Sequence, residues 1–146
     1  MMRRALELAQ QASALGEVPV GAVVYRGEEI LAEDFNRRES AHDPTAHAEL
    51  LAMRAAALKL GDWRLEGCSL AVTLEPCPMC AGAIVNARVP RVLYGARDPK
   101  AGAAESLFRL LSDPRLNHRA LVVGGVREAE ASAQLKAFFK ALRTRG

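Results

Sequence analysis

Cysteine and histidine are scarce in this sequence, three of each among 146 residues. An odd number of cysteines cannot form a closed set of disulfides. A chain of this length buries roughly two thirds of its unfolded surface, so it needs no crosslinks to fold. The thiols therefore fit a reducing compartment in which cysteine binds metal or carries out chemistry. Long apolar runs are missing as well, since no stretch approaches the ~18 apolar residues of a membrane span. Arg3 and Arg4 ahead of Ala12-Ser13-Ala14 mimic a secretion signal, but Glu7, Gln10 and Gln11 interrupt the stretch between them. Repeats, linkers and low-complexity segments are also lacking. These absences lead to the expectation of a single domain over residues 1–146, cytoplasmic and without a membrane partner.

An excess of charge of one sign is small too: 20 Lys+Arg against 17 Asp+Glu, a formal net charge of +3. That excess is localised. The last 11 residues hold Lys136, Lys140, Arg143 and Arg145 with no acid, while the preceding 135 carry 16 basic and 17 acidic residues. Such an end is either a nucleic-acid contact or a set of cations favoured near a helix C-terminus. Half of the residues are hydrophobic, which together with the balanced charge argues against disorder.

Periodicity places the elements. Residues 2–15 carry Leu6, Ala9 and Leu15 in a rough helical period that stops at Gly16. Val20 to Tyr25 and Ile30 to Asn36 alternate like strands around a Gly-containing turn, a hairpin. Asp43-Pro44-Thr45 has the makings of a helix entrance, followed by an Ala- and Leu-rich stretch to Lys59. Ser69 to Leu74 reads as a buried strand leading into a helix over Met79 to Ala87. Arg91 to Ala96 and Leu121 to Val123 complete the strands, with helices expected around Ser106 to Leu111 and from Glu128 to Arg143. The alternation implies an α/β fold, three layers α/β/α around a central mixed five-stranded sheet.

Two short motifs carry chemistry, each where a helix is expected to begin: His47-Ala48-Glu49 and Pro76-Cys77-Pro78-Met79-Cys80. Cys77 and Cys80 stand three apart, so both sulfurs can point the same way on a first helical turn, whose N-terminus favours thiolate. One His and two Cys suit zinc and leave a fourth tetrahedral position for water. Glu49 is close to that position without facing the same way as His47, which suits a proton shuttle. Alone, the C-x-x-C after a strand also fits a thioredoxin-like redox pair, a reading that His47-Ala48-Glu49 argues against. A structural zinc would need a fourth ligand from Cys68, His42 or His118. Cys68 opens an apolar strand and fits the core, and the two histidines sit in polar loops.

The combination of H-x-E with P-C-x-x-C is the signature of zinc-dependent deaminases. With Glu17-Val18-Pro19-Val20-Gly21-Ala22, Asn36, His42 to Glu49, Thr73 to Cys77, Gly95 to Asp98, Gly102-Ala103-Ala104, Asn117-His118-Arg119 and Phe138-Phe139, the chain resembles the bacterial tRNA-specific adenosine deaminases of the cytidine-deaminase-like superfamily. The resemblance implies hydrolytic conversion of a wobble adenosine to inosine, with one zinc ion per subunit held by His47, Cys77 and Cys80 and with Glu49 as the proton shuttle. It implies Asn36 on the base edge, Val18 and Ala46 in the pocket wall, and the amides of Ala48 and Cys77 near the reacting oxygen. Arg97, Asp98, Asn117 and His118 would contact neighbouring anticodon nucleotides, and Phe138 and Phe139 the flanking bases, with the terminal cations on phosphate. One of two adjacent aromatics on an amphipathic helix ordinarily packs inward, so at most one of that pair is expected to touch RNA directly. The implied partners are the anticodon arm of a tRNA, the arginine tRNA with an ACG anticodon, and a second copy of the chain in a homodimer. Pro78 occurs at the same place in free-guanine deaminases of the superfamily, so free guanine or cytidine remains the alternative substrate. A non-catalytic RNA-binding module with a structural zinc is the alternative of a different class.

Overall fold

Apolar residues on both faces of the central strands decide the architecture. Along β1 (Gly21–Arg26) and β3 (Ser69–Leu74), Ala22, Val24, Leu70 and Val72 enter one core, while Val23 and Ala71 enter another. Period two is what a pleated strand imposes, and a sheet apolar on both faces must be covered on both. In the computed structural model, which describes residues 1–145, α2 (Ala48–Leu60) and α3 (Pro78–Asn86) cover the first face. The second is covered by α1 (Met2–Ala14) and α4 (Glu128–Arg145). The sheet runs β2 (Glu29–Phe35), β1, β3, β4 (Arg91–Ala96), β5 (Leu121–Val123). β1 is antiparallel to both of its neighbours, and β3, β4 and β5 are parallel. This is the expected three-layer arrangement with a mixed five-stranded sheet.

The helix layer sits very close to the sheet. A Cβ on Gly21 would lie 2.0 Å from the Ala5 carbonyl oxygen, so only glycine lets α1 pass over β1 at this height. Two elements differ from expectation. Asp43 does not open α2: its Oδ1 accepts the Thr45 amide at 2.8 Å and the Thr45 hydroxyl at 2.7 Å, closing a local turn, and the helix begins at Ala48 with His47 in the N-cap position. The helix expected around Ser106 to Leu111 is reduced to a 3-10 turn at Leu110–Ser112: the Leu107 and Phe108 amides bond to the Gly102 carbonyl and the Leu110 amide to Ala103, so the i to i−4 pairing of a helix is not made.

Candidate active site

The N-termini of α2 and α3 meet beyond the C-terminal end of β3. His47 caps the first and Cys77 the second, with Pro78 at the first position of α3, where a missing N–H costs nothing. The Cys77 and Cys80 sulfurs lie 3.6 and 3.4 Å from His47 Nδ1. All three ligand atoms fall within 4.8 Å of one another. A tetrahedral zinc with the usual Zn–S and Zn–N lengths has an S···N edge of about 3.6 Å, so the donor set fits that ion without rearrangement. Among the described residues no fourth His, Cys, Asp or Glu joins the group. Cys68 is fully buried in the core, His42 is exposed, and His118 Nε2 sits 2.7 Å from the Val89 carbonyl oxygen. A site with three protein ligands is of the open, catalytic kind.

The electrostatics separate the two thiols. A hydrogen bond from Cys80, reinforced by His47, pulls the Cys77 thiol down to about 4 against the cost of burial. The Cys77 sulfur and burial both push Cys80 up. His47 is raised, chiefly by its hydrogen bond with Cys77. Glu49, only 4 % exposed, is pushed up by desolvation, so its carboxyl holds a proton more readily than a surface carboxyl does.

A pocket of about 230 Å³ opens beside these groups, lined by Val18, Val20, Asn36, Arg38, His47, Ala48, Glu49, Leu74, Glu75, Cys77, Asp98 and Ala101. It is smaller than the roughly 300 Å³ of the smallest drug-sized sites and suits a single flat nucleobase. Asn36 donates from Nδ2 to the Val18 carbonyl at 3.3 Å and accepts the Arg38 amide on Oδ1 at 3.1 Å. One N–H and one lone pair are left for a ligand. Two buried carboxylates frame the opening. Glu75 accepts the amides of Asp98, Ala104, Glu105 and Ser106 at 2.8–3.2 Å and also the Ser106 hydroxyl, which ties down the loop that carries Asp98 and Ala101. Glu17 accepts the amides of Glu39 at 3.0 Å and Ser40 at 2.6 Å and so fixes the loop that carries Arg38. Sequence reasoning passed over Glu17, Glu75 and Arg38. The only available signal was an acidic residue standing next to an otherwise apolar, proline-containing segment in each carboxylate's case.

The comparisons agree with this geometry. The MafB19-like deaminase family matches residues 1–143. A tRNA-specific adenosine deaminase of Bacillus subtilis is 51 % identical over 97 % of this chain and 88 % of its own length. The chain belongs to the tRNA-specific adenosine deaminase family. A solved structure from a study of A-to-I editing by tRNA:A34 deaminases at the wobble position superposes with a TM-score of 0.88, at 46 % identity over 92 % of this chain and 97 % of that one. A guanine deaminase from Nitrosomonas europaea is more distant, with a TM-score of 0.78 and 28 % identity over 94 % of this chain and 81 % of that one.

Among the residues that the resemblance to tRNA-specific adenosine deaminases singled out, Val18, Asn36, His47, Ala48, Glu49, Cys77 and Asp98 line one cavity. Cys80 is buried beside it. Ala46, expected in the wall, is buried without lining the pocket, and its carbonyl accepts the Arg37 amide at 3.0 Å. Arg97 is exposed, donates to the Tyr94 hydroxyl at 2.8 Å and lies within ion-pair reach of Glu105 and Glu128, so its guanidinium is held at the surface by partners in the chain. His118 is engaged with Val89, and Asn117 is exposed on the loop before β5. On α4 the two aromatics part: Phe138 lines a cavity against Gln10, Ser13 and Gly16, whereas Phe139 is 42 % exposed in a groove with Lys100, Lys136 and Arg143.

Proposed function

We propose that this protein hydrolyses the wobble adenosine of a tRNA anticodon to inosine, taking up water and releasing ammonia. The observation that carries the proposal is the convergence, at one base-sized pocket, of a His-Cys-Cys group that could hold a metal, a buried carboxyl at Glu49 and a half-satisfied amide at Asn36. His47, Cys77 and Cys80 would hold zinc, which would supply the Lewis acidity that activates water near neutral pH. Glu49 takes one proton from the attacking water and gives it to the ring nitrogen, then takes the second from the hydroxyl left on the ring carbon and gives it to the amine, which departs as ammonia as the C–N bond breaks; a carboxyl raised by burial is suited to hold each proton between those events. The free N–H and lone pair of Asn36 grip the edge of the base, Val18, Val20 and Leu74 clasp its faces, and the backbone amides of Ala48 and Cys77, at two helix N-termini, oppose negative charge on the reacting oxygen.

The surface around the pocket supports RNA as the substrate. Lys100 follows Asp98 in the loop that lines the pocket and shares a groove with Phe139, Lys136 and Arg143, which joins an exposed ring to three cations. A base flanking the target stacks on Phe139, its phosphates meet the cations, and Asp98 and Asn117 serve the other anticodon nucleotides. Phe138 acts inside the fold. The anticodon arm of the arginine tRNA with an ACG anticodon is the proposed partner, and the cytoplasm the place of action. An apolar groove of about 280 Å³, lined by Leu50, Met53, Ala57, Trp63, Leu65 and Ala83 and bordered by a 55 %-exposed Trp63, supports a homodimer through α2 and α3.

A panel of substrates tests the proposal. The zinc-loaded protein is incubated with an ACG anticodon stem-loop, free adenosine, guanine and cytidine, and the products are separated. Inosine from the stem-loop alone is expected. Turnover of free guanine or cytidine in its place overturns the reading.

A further inference from the structure

We propose that Arg38 binds a backbone phosphate flanking the target adenosine, so that the pocket accepts a nucleotide within a strand in preference to a free base. The inference rests on the proposed deamination of RNA and adds to it the chemical feature by which the pocket itself recognises a strand.

Arg38 is the only lysine or arginine among the residues lining the base pocket, whose charged lining is otherwise His47, Glu49, Glu75 and Asp98. Its neighbour Arg37 is already engaged: Nε donates to Asp34 at 2.8 Å and the guanidinium lies 4.0 Å above the Phe35 ring. Arg38, by contrast, is exposed, and among the described residues its side chain makes no hydrogen bond and no ion pair. The backbone beneath it is held on every side. Its amide is bonded to Asn36 Oδ1, its carbonyl accepts the Asp43 amide at 3.1 Å, and the next two amides bind the buried Glu17 carboxylate. Asn36 thus links the base edge and the cation through a single hydrogen bond. A fixed backbone that presents an unpaired guanidinium at the rim of a pocket for one base is placed for the anion nearest that base. In RNA this is the phosphodiester on either side of the ribose, which a guanidinium meets with paired donors. A free base or nucleoside offers no such group.

The test crosses Arg38→Ala and Arg38→Lys with two modified stem-loops, each carrying an uncharged methylphosphonate at one of the two linkages that flank the target adenosine. On the unmodified stem-loop, Arg38→Ala is expected to lower kcat/KM about tenfold, with the loss falling on KM, and to reduce the salt slope of binding by about 0.7, the value for one phosphate of a single strand. Arg38→Lys should recover part of the loss because it keeps the charge. One of the two methylphosphonates should weaken the wild type to the same degree and leave Arg38→Ala with no further penalty. Melting temperatures close to wild type exclude a folding defect, as expected for a side chain that makes no hydrogen bond or ion pair and acts on Glu17 only through its charge. Equal kcat/KM for wild type and Arg38→Ala overturns the inference, and so do losses that simply multiply at both linkages. A wild type inactive on the stem-loop overturns the RNA reading itself.

Discussion

Glu17 is completely buried and still ionised. Burial by itself would raise its pKa, but the Ser40 amide and hydroxyl and the Glu39 amide outweigh that cost and hold it below the usual carboxylate range. A carboxylate whose pKa is lowered on folding adds stability that is complete above the unfolded value of 4.5 and is lost as pH falls through the folded value. Glu17→Gln should therefore destabilise the protein by about 1–3 kcal/mol near neutral pH, the cost of leaving buried partners poorly satisfied. Its melting curve should approach that of wild type as the pH falls below the unfolded value and the wild-type group protonates as well. A deficit that does not change with pH would show that the charge is not what matters. Glu75 plays the matching part on the other side of the pocket, and here the steric surroundings give the check. A Cβ at Gly102 would sit 2.4 Å from the Glu75 carboxyl carbon. Gly102→Ala should thus loosen the Asp98 loop as Glu75→Gln does, and both should raise KM for the stem-loop more than they lower its kcat.

At the level of elements, the zinc motifs were legible because their chemistry is local. His47 and Glu49 straddle one helix start, Cys77 and Cys80 another, and strand-helix order at both places follows from apolar periodicity. Glu17 and Glu75 were illegible for the opposite reason. Their partners are backbone amides far along the chain, and nothing in a lone Glu distinguishes a buried clamp from a surface charge. Asp43 misled because a residue suited to N-capping is equally suited to closing a turn on Thr45, and only the fold decides between them. The division of labour on α4 depends on helix phase against α1, which adjacent phenylalanines leave open; the structure turns Phe138 inward and Phe139 out. Phe139→Ala should weaken stem-loop binding by roughly 1–3 kcal/mol with an unchanged melting temperature, as loss of one stacked base does. Phe138→Ala should lower the melting temperature and spare RNA affinity. Titration of labelled RNA alongside thermal melts separates the two, and reversed phenotypes would move the stacking surface to the α1 side.

At the scale of the whole molecule, the net charge of +3 describes the surface poorly. Zinc bound by two thiolates and one neutral histidine leaves that sum unchanged, so the catalytic centre adds nothing to the attraction for RNA. The excess lies at the end of α4, where Lys136 and Arg143 share the groove of Phe139. Neutralising Lys136, Lys140, Arg143 and Arg145 together should flatten the salt dependence of binding by about 0.7 for each phosphate that they pair with. An unaltered slope would leave these cations as ordinary helix-end charges. The one measurement that bears most directly on the central claim compares wild type with Glu49→Ala on the ACG stem-loop, following inosine formation and zinc content in the same preparations. Glu49→Ala should keep its zinc and bind the stem-loop, yet form inosine at least about 10²-fold more slowly, as expected when a proton carrier is removed. Inosine formed at the wild-type rate by zinc-loaded Glu49→Ala would contradict the claim.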